Sequence, residues 1–94
     1  MKTYRVLLNP KAADELRELS PEAAARIREG LKNLATDPTR PRSGLDVKLL
    51  SGTSNPKLYR LRVGGYRAIF WVDGEKGEVL VERVAARRRA YAGI

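Results

Sequence analysis

The chain has no cysteine and no histidine in its 94 residues. Without thiols there is no disulfide framework and no thiolate nucleophile, and a cytoplasmic protein is the default expectation. Without imidazole, the histidine-pair route to RNA cleavage is unsupported, and the aspartates and glutamates do not cluster in the spacing of metal ligands, so two-metal phosphodiester hydrolysis is unsupported as well. No metal or cofactor is expected. Long apolar runs are also missing: none approaches the roughly 18 residues that a bilayer span requires. The opening MKTYRVLLNP is too short and too interrupted, by Arg5 and Pro10, to be a signal peptide. No membrane partner is expected. Repeats, low-complexity stretches and dividing linkers are absent too, which predicts one domain over residues 1–94 with a modest core.

Acidic residues are the other scarcity. Nineteen lysines and arginines face 11 aspartates and glutamates, for a net charge of +8. The excess is uneven: Met1 to Pro56 carries ten basic and seven acidic residues, whereas the shorter stretch from Lys57 to Ile94 carries nine and four. The field of the second half favours nucleic acid, an anionic membrane or an acidic protein. Thirteen of the basic residues are arginine, whose planar fork grips phosphate through two parallel hydrogen bonds.

Local signals predict the elements. Lys2 to Leu8 has the alternation of a short strand, with Tyr4, Val6 and Leu8 on one face. Asn9-Pro10 and Ser20-Pro21-Glu22 each read as a cap followed by proline at the first helical position, and they start two helices with apolar stripes at Ala12, Leu16 and Leu19 and at Ala24, Ile27, Leu31, Leu34 and Ala35. The second helix stops before Asp37-Pro38. Asp46 to Leu50 is a plausible strand. Leu58 to Val63, Tyr66 to Asp73 and Glu78 to Val84 are stronger ones, joined by Gly64-Gly65 and by Asp73-Gly74-Glu75-Lys76-Gly77 in hairpin fashion. The expected fold is α+β, β-α-α-β-β-β-β, with a small twisted antiparallel sheet and the N-terminal helical hairpin packed on one face.

A two-residue turn at Gly64-Gly65 sets Val63 opposite Tyr66, Arg62 opposite Arg67, Leu61 opposite Ala68 and Arg60 opposite Ile69. Alternation then turns Tyr59, Leu61, Val63, Ala68 and Phe70 toward the helices and Arg60, Arg62 and Arg67 toward solvent. Like charges directly opposite on a sheet face are unfavourable by a few tenths of a kcal/mol or more, so something must offset them. Carboxylates such as Glu78 or Glu82 on the next strand are one candidate, and a bound phosphate is another. The tail adds Arg87, Arg88 and Arg89 with Tyr91 behind them, a basic segment beside a ring on which an unstacked base can lie. Phe70 and Trp71 read as packing residues, and the Ser51-Gly52-Thr53-Ser54 loop lacks the lysine and helix of a phosphate loop.

The stretch LYRLRVGGYRAIFWVDGEKGEVLVERVAARRRAY resembles the RelE/ParE superfamily of toxins, with its alternating basic strand, its Gly-x-Tyr-Arg turn and its last strand ending in a basic segment and a tyrosine. YRVLLNPKAADELREL and the proline-started second helix extend the likeness over essentially the whole chain. The resemblance implies a microbial RNase-like fold and a toxin neutralised by a co-encoded antitoxin, in a hetero-oligomer. An acidic antitoxin that folds on binding suits the charge. RelE-like members cut mRNA in the ribosomal A site; ParE-like members inhibit DNA gyrase. On the RelE pattern, Arg67, Arg87 and Tyr91 are the candidate catalytic residues, and Arg60, Arg62, Arg88, Arg89 and Lys57 the candidate RNA-binding residues. Ala85-Ala86 stands where archaeal-type members often have Gly-His. With these residue types the expected chemistry is attack by the RNA's own 2′-OH while guanidinium groups hold the phosphate. A gyrase inhibitor and a noncatalytic nucleic-acid-binding domain are the alternatives.

Overall fold

Two prolines, each behind a polar cap, organise the N-terminal half. Strand β1 (Arg5–Leu8) ends at Asn9, whose Oδ1 accepts a hydrogen bond from Ala12 N at 2.8 Å and opens helix α1 (Pro10–Glu18). Ser20 repeats the device for α2 (Pro21–Leu34), its Oγ accepting from Ala23 N at 3.2 Å. Ala12 and Leu16 of α1 are buried, as are Ala24, Ile27, Leu31 and Leu34 of α2. Both stripes fall at helical spacing and need a sheet to lie on. The computed structural model describes residues 3–90, without the side chain of Arg88.

The sheet follows as β2 (Asp46–Leu49), β3 (Tyr59–Val63), β4 (Tyr66–Asp73) and β5 (Glu78–Ala86), and one helical turn, α3 (Arg87–Ala90), closes the described chain. Strands β2 to β5 form the expected antiparallel meander. The strand order is β1-β5-β4-β3-β2, and β1 runs parallel to β5 with Val6 beside Val79 and Leu8 beside Val81. The sheet is therefore mixed rather than wholly antiparallel. Hairpin turns encode only pairings between consecutive strands; the partner of a first strand is set by where the helical hairpin returns the chain, which no local signal specifies.

Register in the β3–β4 hairpin is as the two-glycine turn dictates: Val63 pairs with Tyr66, Arg62 with Arg67, Leu61 with Ala68 and Arg60 with Ile69. Gly64 takes φ +59, the left-handed conformation that this turn requires. The helices cover one face, where Leu61, Ala68, Phe70, Val79, Val81 and Val84 join their stripes in one core. Tyr59 stacks on Phe70 with centroids 5.6 Å apart. A bulge in β5 opposite Ile69/Phe70 inserts Glu82, because Phe70 pairs with Val81 while Ile69 pairs with Arg83. That extra residue lets both Val81 and Val84 reach the core.

The opposite face is not wholly open. Ile69 and Ala90 are fully buried there in a second cluster with Ala85, flanked by Leu50 and Leu58. α3 thus folds back onto the face that carries the arginines.

Candidate nucleic-acid interface

Five of the thirteen arginines are engaged away from the β3–β4 hairpin. Arg5 pairs with Glu78 at 2.5 Å, Arg40 with Asp37 at 2.6 Å and Arg17 with Asp14. Arg42 donates to the carbonyls of Asn33, Asp37 and Arg40 at 2.7 to 2.8 Å, which ties down the loop after α2. Arg83 makes a half-buried pair with Glu15 of α1, Nη2 to Oε2 3.0 Å, and the same carboxylate accepts from Val84 N at 2.9 Å. This contact covers the edge of β5 beyond the end of β1. Burial alone would raise the Glu15 pKa, but the hydrogen bonds from Arg83 and Val84 N and the charges of Arg83 and Lys11 outweigh it and hold the carboxyl below its ordinary value.

The hairpin arginines divide differently. Arg60 is met by Asp46 of β2, Nη1 to Oδ1 3.1 Å, so the neutralising carboxylate comes from the preceding strand and not from Glu78 or Glu82. Glu78 serves Arg5, and Glu82 accepts from Asn9 Nδ2 at 2.7 Å. Arg62 is exposed and directly opposite Arg67. Arg67 is buried, at 6% exposure, which corrects the expectation that all three arginines meet solvent. On the same face Ala90 of α3 packs with Ile69, two residues along β4, and with Ala85, which pairs with Arg67, so α3 adds cover beside that arginine. Arg67 Nη1 donates to Gly64 O at 3.3 Å and to Tyr66 O at 3.1 Å, and its buried Nε has no partner among the described residues. A full charge held by two carbonyls, with one donor orphaned, is an expensive arrangement for a core to keep without a use.

Arg87 arrives at the same turn from the other side. Its backbone N donates to Gly65 O at 3.2 Å, while Ala86 and Ala85 pair with Tyr66 and Arg67. Among the described residues no carboxylate pairs with Arg62, Arg67 or Arg87. Three arginines therefore stand on the residues that flank Gly64-Gly65 or hydrogen-bond to it, and none of them has a carboxylate partner among the described residues. Arg89 is also exposed, but it lines a cavity of about 260 Å³ with Glu15, Glu18 and Tyr66, away from Arg62. Lys57 does not join the cluster: it lies before β3, seven residues from the turn and about 20 Å away at strand rise, beside Trp71 in an open concavity of about 660 Å³. The Arg88 side chain and Tyr91 lie outside the described residues.

Comparison with known proteins decides the family. Residues 6–91 match the family described as the ParE toxin of the type II toxin-antitoxin system parDE. The chain is a toxin of the RelE/ParE superfamily. It is 25% identical over 88 residues to toxin RelE1 of Methanocaldococcus jannaschii, covering 94% of each chain. The RelE–RelB complex of Pyrococcus horikoshii superposes with a TM-score of 0.77 at 33% identity, covering 94% of this chain and 99% of that one. The isolated Escherichia coli RelE toxin superposes with a TM-score of 0.73 at 25% identity, covering 88% and 83%. The order of helices and strands expected of a RelE/ParE toxin is thus the order found. No described helix is long and apolar enough to cross a membrane.

Proposed function

We propose that this toxin is a metal-independent endoribonuclease that cuts mRNA in the A site of the ribosome. The observation that carries the reading is the placement of Arg62, Arg67 and Arg87 about the Gly64-Gly65 turn without a carboxylate partner among the described residues. Such a set suits a phosphodiester whose negative charge grows in the transition state. In the proposed reaction the 2′-oxygen of the nucleotide 5′ to the scissile bond attacks phosphorus, the 5′-oxygen leaves, and a 2′,3′-cyclic phosphate forms. The 2′-OH proton is lost and the leaving oxygen gains one. Arg67 and Arg87 hold the phosphoryl oxygens, and Arg60 and Arg62 hold the flanking backbone. Tyr91 is assigned to base stacking or proton transfer, and Arg88, Arg89 and Lys57 to peripheral RNA contact.

A site with no imidazole and no poised carboxylate draws much of its rate from substrate positioning, which agrees with use of the ribosome as a template. Burial of Arg67 fits a guanidinium held in place before substrate arrives. The antitoxin partner follows from the toxin family and from relatives solved as RelE–RelB complexes. A +8 toxin calls for an acidic one. The expected setting for both partners is the cytoplasm.

The test is primer extension on mRNA programmed on purified 70S ribosomes. Wild-type toxin is expected to give cuts at A-site codons that vanish in Arg67→Ala and Arg87→Ala. Growth arrest without cleavage, accompanied by inhibition of DNA supercoiling, would replace this reading with gyrase inhibition.

A further inference from the structure

One arginine outside the RelE-like pattern also faces the turn. Arg26 is exposed on α2, yet its guanidinium lies over Gly64: a Cβ at that glycine would stand 3.7 Å from Nη2, 3.9 Å from Nη1 and 4.0 Å from Cζ. The turn thus offers bare backbone under Arg26. Beside it runs a groove of about 350 Å³ between α2 and β3, lined by Arg26, Glu29, Asn33, Leu45, Arg62 and Gly64 among others. Gly30 brings the two walls together, since a Cβ there would meet Leu61 Cδ2 at 3.1 Å. Neither Arg26 nor Arg62 has a carboxylate partner among the described residues, although Glu29 lines the same groove.

We infer that the groove between Arg26 and Arg62 is a second phosphate-binding stretch that carries the RNA backbone away from the cleavage site. It rests on the endoribonuclease reading and extends it to a residue which that reading does not use. The turn links the two stretches physically. Gly64 O accepts from Arg67 and Gly65 O from Arg87 N, Arg62 stands opposite Arg67 and also lines the groove, and Arg26 lies over Gly64 from α2. A strand whose scissile phosphate sits at Arg67 and Arg87 passes Arg62 and bare glycine before it meets Arg26. Glu29 opposes that path, so its charge has an effect of opposite sign.

The experiment measures cleavage kinetics on programmed 70S ribosomes, with binding at several salt concentrations to an mRNA carrying a 2′-deoxy nucleotide at the attacking position. Arg26→Gln should raise KM about tenfold and leave kcat unchanged, as expected for loss of one charge-assisted contact. The slope of log affinity against log salt should fall by about 0.7, the value for one phosphate of a single strand. Arg26→Lys should restore the slope, and Glu29→Gln should lower KM. An mRNA ending at the A-site codon tests the path: the Arg26→Gln effect should disappear with it, and an effect that persists would assign the groove to ribosomal RNA and overturn the path. Wild-type KM and slope in Arg26→Gln, with cleavage intact in the wild type, would overturn the inference alone. A wild type that does not cleave would remove the parent reading and this one with it.

Discussion

Arg83 and Arg67 sit on neighbouring strands, the first half-buried and the second buried. Arg83 has a carboxylate from α1 at 3.0 Å, which also takes the backbone N–H of Val84. Among the described residues, Arg67 has only the carbonyls of Gly64 and Tyr66 and an Nε with no acceptor. The first arrangement is complete without a ligand and locks α1 to the free edge of β5. The second is electrostatically unfinished, and it lies where Arg62 and Arg87 add charge of the same sign. Burial alone does not separate a structural arginine from a binding one. The presence of a counter-charge does.

The comparison breaks most visibly in paired substitutions. Arg67→Met should lower cleavage by about 10²- to 10³-fold, the scale for loss of one transition-state donor, while the thermal midpoint holds or rises because an unpaired buried charge is removed. Arg83→Met should do the reverse: it leaves the half-buried Glu15 without its cation and costs about 1 to 3 kcal/mol in denaturant unfolding, with kcat little changed in the folded fraction. Glu15→Gln sharpens the contrast through pH. A carboxyl held below its ordinary 4.5 contributes stability that is fully present above that value and is lost as pH falls through its folded pKa. Unfolding curves from pH 7 to pH 3 should therefore decline less steeply in the variant, which starts about 1 to 3 kcal/mol lower. Gly64→Ala should cost about 1 kcal/mol, since φ +59 disfavours a side chain. Asp46→Asn comes last: its carboxylate is half exposed, so less than about 1 kcal/mol is at stake, and release of Arg60 should tighten RNA binding slightly.

Local chemistry made the helices and the hairpin legible. Asn9-Pro10, Ser20-Pro21 and Gly64-Gly65 each determine the conformation of the residues beside them, and the paired register of Arg62 and Arg67 follows from the turn alone. The parallel β1–β5 pairing was not legible, because it joins residues more than seventy positions apart with no turn between them. Nor was the Glu15–Arg83 pair, which depends on how α1 crosses the sheet. The bulge at Glu82 did leave a trace: Val79, Val81 and Val84 are spaced two and then three apart, a break in alternation that marks an inserted residue. At the site, spacing placed Arg60, Arg62 and Arg67 on one face but was silent on Asp46 as the partner of Arg60. The burial of Arg67 was equally hidden, because its side chain folds onto the carbonyls of Gly64 and Tyr66, which alternation does not specify.

The most direct test compares Arg67→Met with Arg83→Met in one experiment, measuring single-turnover cleavage of ribosome-bound mRNA and the thermal midpoint of the same preparations. The account predicts crossed results: Arg67→Met folded and inactive, Arg83→Met destabilised and, where folded, active. Parallel losses of stability in both, or an Arg67→Met protein that cleaves at the wild-type rate, would contradict it.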